Sequence, residues 1–225
     1  MKPQAIVLLS GGLDSAVSLW LAKKKGWACS ALTFDYGQRH KKELRHAQRL
    51  ARIAKVPFKV VRFSLPWGGS SLVDKKTRLP RRSLSKISHT TIPSTYVPAR
   101  NTLFLSFALS WADQKKAQYL VIGANAIDYS GYPDCRPVYI KSFERMANKA
   151  TRLGTEQKKN IKIVAPLLKL SKADIVRLGL KLGVPINKTW SCYAGGKTPC
   201  GTCDSCRLRQ KGIREACLPT SCAQL

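Results

Sequence analysis

Apolar runs of strand length alternate along this chain with runs of helix length. Ala5–Leu9 is a continuous apolar stretch that predicts a first strand, and Ser15–Lys24 follows as a helix. Cys29–Phe34 reads as the second strand. Lys41–Ala54 is amphipathic, with Leu44, Ala47, Leu50, Ala51 and Ala54 on one face. Phe58–Phe63 alternates as a third strand, Thr102–Ala112 is a strongly apolar helix, and Leu120–Gly123 and Ile161–Ala165 are two further strands. Ser171–Gly179 is a helix with Ser171 at its capping position. Short buried strands alternating with helices predict an α/β fold with a doubly wound, mostly parallel sheet. From about Trp190 onward the composition shifts to Cys, Gly and Lys/Arg. Two units are therefore expected: an α/β domain over 1–189 and a small four-cysteine module over 190–225, packed on it.

The first strand runs into Ser10-Gly11-Gly12-Leu13-Asp14-Ser15 at the start of a helix. Such a strand–turn–helix junction can cradle a phosphate. Glycines let the backbone approach an anion, and the free N–H groups of the helix start point at it. Ser10 and Ser15 add hydroxyl donors. No Lys follows Gly12, which excludes the Gly-x-x-x-x-Gly-Lys-Ser/Thr loop, and the Gly-x-Gly-x-x-Gly spacing is absent.

With 225 residues and 44% hydrophobic content, the chain can bury the core of one domain and an appendage. Ile6–Leu9 is far too short to span a membrane, and no signal-peptide region with a cleavage site follows, so a cytoplasmic location is expected. The net charge is +28, from 40 Lys and Arg against 12 Asp and Glu. That balance favours nucleic acid or anionic surfaces as contacts, yet the bases are spread along the whole chain. They are densest in a Pro/Ser-rich stretch over 66–93, expected to be a flexible surface loop. The few acids are more telling. Asp14, Asp35, Asp128 and Asp134 sit in Gly- or aromatic-rich junctions, where they serve site chemistry, caps or turns.

Cys192, Cys200, Cys203 and Cys206 lie close together with Gly195, Gly196 and Gly201 among them. Four thiolates around one ion make a closed structural zinc site. An iron–sulfur cluster is the alternative, although the following Cys-Pro of ferredoxins is missing. A disulfide framework is not expected without a secretory signal, and Cys29, Cys217 and Cys222 lack a metal-binding setting. Elsewhere, Asp35–His40 at the end of the second strand neighbours the Ser10–Ser15 loop in an open sheet. Arg100 precedes the apolar helix, which Asn101 would cap, and is a candidate for a phosphate or carboxylate. The loop from Gly123 to Arg136 combines Asp128, Tyr132, Asp134 and Arg136, which suits a guanine-like base: carboxylates accept from its N1–H and 2-amino edge, and tyrosines stack on it. Lys172 opposes the dipole of its helix and so invites an anion, with pyrophosphate the natural candidate.

Together, SGGLDS at Ser10–Ser15, FDYGQRH at Phe34–His40, YVPARN at Tyr96–Asn101, DYSGYPDCR at Asp128–Arg136, the Pro166–Gly179 segment and the four cysteines resemble the 7-cyano-7-deazaguanine synthase family of the N-type ATP pyrophosphatase superfamily. The resemblance runs from about Ala5 to Gly212. It implies an ATP-dependent carbon–nitrogen ligase of queuosine biosynthesis. Its substrates would be 7-carboxy-7-deazaguanine and ammonia, and 7-cyano-7-deazaguanine would form through adenylated intermediates with release of AMP and pyrophosphate. It implies that Leu9, Ser10, Gly11, Gly12, Leu13, Asp14 and Ser15, with Asp35 and Gln38, hold ATP and its Mg²⁺. Asp14, Lys172 and Arg100 would act in catalysis, and Asp128, Tyr132, Asp134 and Arg136 would lie near the deazaguanine. One structural Zn²⁺ per subunit, a homodimer, no membrane and no requirement for tRNA complete what it implies. The tail from Gly212 departs from the family's Gly-Phe and Asp-Pro-Thr-like ending.

Overall fold

In the computed structural model, which describes all residues except 75, 85–91, 126–130, 158 and 218–225, strands and helices alternate around one parallel sheet. Its strands are β1 (Gln4–Leu8), β2 (Ala28–Asp35), β3 (Phe58–Arg62), β4 (Tyr119–Val121) and β5 (Lys162–Val164), in the order β3-β2-β1-β4-β5. The helices are α1 (Leu13–Lys24), α2 (Lys42–Ala54), α3 (Arg100–Lys115), α4 (Pro137–Ala150), α5 (Arg152–Thr155), α6 (Lys172–Lys181) and α7 (Asp204–Cys217). β1 is central, with Ile6 opposite Ser30 of β2 and Leu120 of β4.

Strand periodicity divides the core into two layers. Ile6 and Leu8 join Leu32, Phe34, Leu105, Leu120 and Phe143 on one face, where α3 and α4 pack. Ala5, Val7 and Leu9 join Leu19, Leu50, Val121 and Ile175 on the other, under α1, α2 and α6. Fully burying a Leu or Ile contributes roughly 1.5–3 kcal/mol, so the large buried side chains of these layers hold the sheet between its helices. No helix of the described residues is long and apolar enough to cross a membrane.

The expected strands all form, whereas three helices, α4, the one-turn α5 and α7, were not expected. α4 opens on Pro137 and buries Ile140, Phe143 and Ala147 at helical spacing. α7 buries Cys206, Leu208, Gly212 and Ala216, so a metal-ligand candidate and a glycine stand where a helix pattern usually shows large apolar residues. α3 starts two residues before the expected Thr102. Its cap position is Ala99, with a left-handed φ of 50°, and Asn101 does not cap it. Instead the Asn101 N–H donates to Asp134 Oδ2 at 2.9 Å. α6 carries the expected Ser171 cap, closed reciprocally by Asp174.

The basic stretch over 66–93 is more than surface. Ser70, Ser71 and Leu72 are buried, and Arg39 donates its backbone N–H to Leu72 O at 2.8 Å. Arg82 pairs with buried Asp204 at 2.7 Å, which ties the stretch to the start of α7.

Candidate functional site

The strand order reverses direction between β1 and β4, and ligands of open α/β sheets bind outside the strand ends at that point. A cleft of about 260 Å³ opens there. Leu9, Ser10, Gly12, Leu13, Asp14 and Ser15 form one wall.

The Ser10–Ser15 loop is built from its own hydroxyls. Ser10 N–H donates to Ser15 Oγ at 3.2 Å, Ser15 Oγ donates to Gly12 O at 3.0 Å, and Gly12 N–H donates to Ser10 Oγ at 3.3 Å. Gly11 has a φ of +86°, and a Cβ there would lie 2.3 Å from Glu43 O on α2. Only glycine admits both the conformation and the contact. Gly11 O in turn accepts the Trp190 N–H at 2.9 Å, which anchors the start of the cysteine-rich segment to this loop. No side chain caps α1, so its first backbone N–H groups remain available to an anion.

Lys172, the first residue of α6, reaches back to Asp14. Its Nζ lies 2.9 Å from Oδ1 and 2.8 Å from Oδ2. The carboxylate offsets the unfavourable placement of a cation at a helix N-terminus. Helix α7 supports this pair from behind. A Cβ on Gly212 would lie 2.4 Å from Lys172 Cγ, so the absence of a side chain there lets α7 press against the lysine. Arg209, three residues after Cys206, lines the same cleft. Its guanidinium donates to Thr189 Oγ1 at 2.6 Å and to Ile186 O at 2.9 Å.

The opposite wall is aromatic and cationic. Phe34 and Phe104 stack with centroids 4.0 Å apart, and Arg100 Nη1 donates to Tyr36 Oη at 3.0 Å. Arg100 Nε is buried without a hydrogen-bond partner, an unmet donor facing a site. Burial raises the Tyr36 phenol, with the Arg100 charge opposing it. Tyr132 lines this wall, its hydroxyl 2.7 Å from Thr95 Oγ1, and burial raises it too. Burial lowers His40, helped by the charge of Lys42. Glu43 on α2 is a cleft carboxyl that the sequence reading did not single out, and burial pushes it up to about 7 against the pull of Arg100.

The remaining candidates are placed differently. Gln38 lines the cleft, but its side chain also closes its own turn, accepting from Tyr36 N–H at 2.8 Å and donating to Phe34 O at 3.0 Å. Asp35 ends β2 and pairs with Lys41 at 2.9 Å. Gly11 packs against α2. Asp134 is buried behind Asn101, and burial raises it, opposed by the Asn101 N–H. Arg136 is exposed at the start of α4. None of these four lines the cleft. Asp128 lies outside the described residues.

Cys192, Cys200, Cys203 and Cys206 converge, with all four sulfurs within 4.8 Å of one another. A tetrahedral ion with metal–sulfur bonds of about 2.3 Å needs sulfurs roughly 3.8 Å apart, so a small closure of this cluster seats one. Backbone N–H groups already face the sulfurs: Ala194 and Cys200 donate to Cys192 Sγ at 3.4 and 3.3 Å, and Cys203 donates to Cys200 Sγ at 3.4 Å. Burial opposes ionisation of Cys200, but backbone N–H bonds pull its thiol down to about 6, whereas burial raises Cys203 and Cys206; the thiolate is the form that binds metal. Cys217, at the end of α7, is disulfide-bonded, whereas the four cysteines of the cluster are free.

Known proteins match this arrangement over nearly its whole length. The 7-cyano-7-deazaguanine synthase of Gloeothece citriformis is 48% identical over 223 residues, spanning 97% of this chain and 94% of that protein. The protein of the same name from Nostoc sp. is 53% identical over 215 residues, spanning 94% and 93%. Among solved structures, NMN synthetase from Francisella tularensis shares the fold, with a TM-score of 0.52 at 19% identity over 99% of this chain and 80% of that one. The family described as queuosine biosynthesis protein QueC matches residues 4–217, and the chain belongs to that family.

Proposed function

We infer that this chain is an ATP-dependent ligase that converts 7-carboxy-7-deazaguanine and ammonia to 7-cyano-7-deazaguanine for queuosine biosynthesis. The observation that carries this reading is the Ser10–Ser15 loop at the strand-order reversal, with Asp14 and Lys172 paired across it, in a chain about half identical to synthases of that name.

The substrate carboxylate attacks the α-phosphate of ATP, and pyrophosphate leaves. Ser10, Gly12 and Ser15 and the uncapped amides of α1 receive the pyrophosphate, and Lys172 offsets its charge. Preorganised donors of this kind act on charge that develops as the bond breaks. Magnesium, when bound, neutralises phosphate charge, and Asp14 is the carboxylate placed to hold it. Ammonia then displaces AMP to give the amide. A second ATP activates the amide oxygen, and loss of AMP leaves the nitrile.

Arg100, with its unmet Nε, suits the carboxylate or the α-phosphate. Phe34, Tyr36, Phe104 and Tyr132 supply flat apolar surface for the two bases, with Gln38 beside them. Asp134 acts at one remove, by fixing the start of α3 and so Arg100. Asp35 fixes the β2 turn, and Leu9 and Leu13 shape the loop. Asp128 and Arg136 remain candidates for the edge of the deazaguanine. The four cysteines hold one zinc ion; all four positions of a tetrahedron are then filled by protein, so its part is structural. The protein works in the cytoplasm, as a homodimer by family likeness, without tRNA.

The test is mass spectrometry of a reaction holding only ATP, magnesium, ammonium and 7-carboxy-7-deazaguanine. The nitrile and AMP are expected. Turnover that requires tRNA would overturn this reading and give the net charge of +28 a substrate role.

A further inference from the structure

Two carboxylates line the cleft, Asp14 and Glu43. Asp14 is committed to Lys172 through both oxygens. The Glu43 carboxyl makes no hydrogen bond or ion pair among the described residues. The groups that face it electrostatically are Arg100 on α3 and the Tyr36 phenol after β2. The backbone of Glu43 abuts the loop, because its carbonyl oxygen lies where a Cβ on Gly11 would fall. Glu43 thus stands in the first turn of α2, directly against the loop that holds the leaving group.

Resting on the reaction proposed above, we propose that Glu43 binds ammonium in the cleft and takes a proton from it, delivering ammonia to the acyl adenylate. The reaction needs this step, since ammonia in neutral water is almost wholly ammonium, which has no lone pair. A single ammonium calls for one uncommitted carboxylate; with Asp14 paired to Lys172 and assigned to magnesium, Glu43 is the remaining carboxylate among the described lining residues. Carboxyl groups held near the working pH are suited to this task, and burial holds Glu43 at about 7. An alkylammonium sits at roughly 10.4 and an ordinary Glu at roughly 4.3, so the shift narrows the gap the proton must cross.

The step balances. An N–H bond of ammonium breaks and its proton goes to a Glu43 carboxylate oxygen. The freed lone pair attacks the acyl carbon, and a C–N bond forms. The C–O bond to the phosphate breaks and AMP leaves with the electron pair. The second N–H proton of the adduct goes to water, and Glu43 returns its own proton to water before the next turnover.

Three readouts on Glu43→Gln test it. ATP–pyrophosphate exchange driven by 7-carboxy-7-deazaguanine without ammonium reports adenylation, and is expected within about threefold of wild type. Amide and nitrile formation from ammonium is expected to fall by about 10²–10⁴-fold, the usual worth of a proton-transfer group. Hydroxylamine is uncharged at neutral pH and is expected to trap the acyl adenylate as the hydroxamate at close to the wild-type rate. Glu43→Asp, which keeps a carboxylate, is expected to recover part of the ammonium reaction. Exchange falling together with the ammonium reaction, or hydroxylamine failing as far as ammonium, overturns the assignment. Wild type without exchange overturns the proposed reaction, and this role with it.

Discussion

Lys172 Nζ holds both carboxylate oxygens of Asp14, at 2.9 and 2.8 Å, although the two residues begin different helices on different parts of the chain. The pair closes the pyrophosphate side of the cleft. Lys172→Met is therefore expected to lower ATP–pyrophosphate exchange by about 10²–10³-fold, the scale seen when one preorganised donor is removed from developing charge. Because the partners touch, Asp14→Asn combined with Lys172→Met should cost far less than the product of the two single losses. Exchange rates for the three variants check this.

Gly212 is predicted to matter as much as a residue that touches ligand. A Cβ there would fall 2.4 Å from Lys172 Cγ and 2.9 Å from Lys172 Cβ. Gly212→Val should displace the lysine and raise the KM for ATP at least tenfold. Metal content should stay at the wild-type value, because the cysteines precede the substitution. Metal analysis beside ATP kinetics separates the two effects.

Removing the metal should reach the nucleotide. Cys192 lies two positions after Trp190, whose N–H is bonded to Gly11 O, and Cys206 lies in the first turn of the helix that carries Arg209 into the cleft. Chelation, or Cys203→Ser, should lower the melting temperature, as expected where metal binding contributes folding free energy. It should also weaken ATP binding measured calorimetrically. Arg209→Ala should weaken ATP binding with the metal retained, and Arg209→Lys should recover less than half of the loss, since a lysine cannot reproduce the fork that spans Thr189 and Ile186.

Glu43 gives the stability a pH dependence of definite sign. Its carboxyl is raised from 4.5 to about 7 in the folded protein. Between these values the folded chain keeps a proton that the unfolded chain has lost, so this group's contribution to stability falls as pH rises through that window. Glu43→Gln removes the term. Its melting temperature should match wild type near pH 4 and exceed it at pH 8.

Much of this molecule is legible in its residues. The strands announce themselves because a doubly wound sheet buries them on both faces, which leaves continuous apolar runs such as Ala5–Leu9. The Ser10–Ser15 loop is legible because glycine and hydroxyls at a strand end have few other uses. Helix α4 was hidden by a thin stripe of Ile140, Phe143 and Ala147 among charged residues. In α7 the cysteines and Gly212 drew attention away from helical spacing. Glu43 and Arg209 look like surface residues in so charged a chain, and only the tertiary approach of α2 and α7 to the loop marks them. A hint was present: Arg209 follows Cys206 by three positions, which places both on one helix face. Asp134 reads as a ligand from sequence because the Asn101 N–H that it binds is remote along the chain.

The central claim is that both carboxylate oxygens of the substrate leave on adenylate. Turnover of 7-carboxy-7-deazaguanine labelled with ¹⁸O in both carboxylate positions tests it directly. The account predicts two AMP molecules per nitrile, each carrying one ¹⁸O, with unlabelled pyrophosphate. Label in orthophosphate or ADP, or AMP without label, would contradict it.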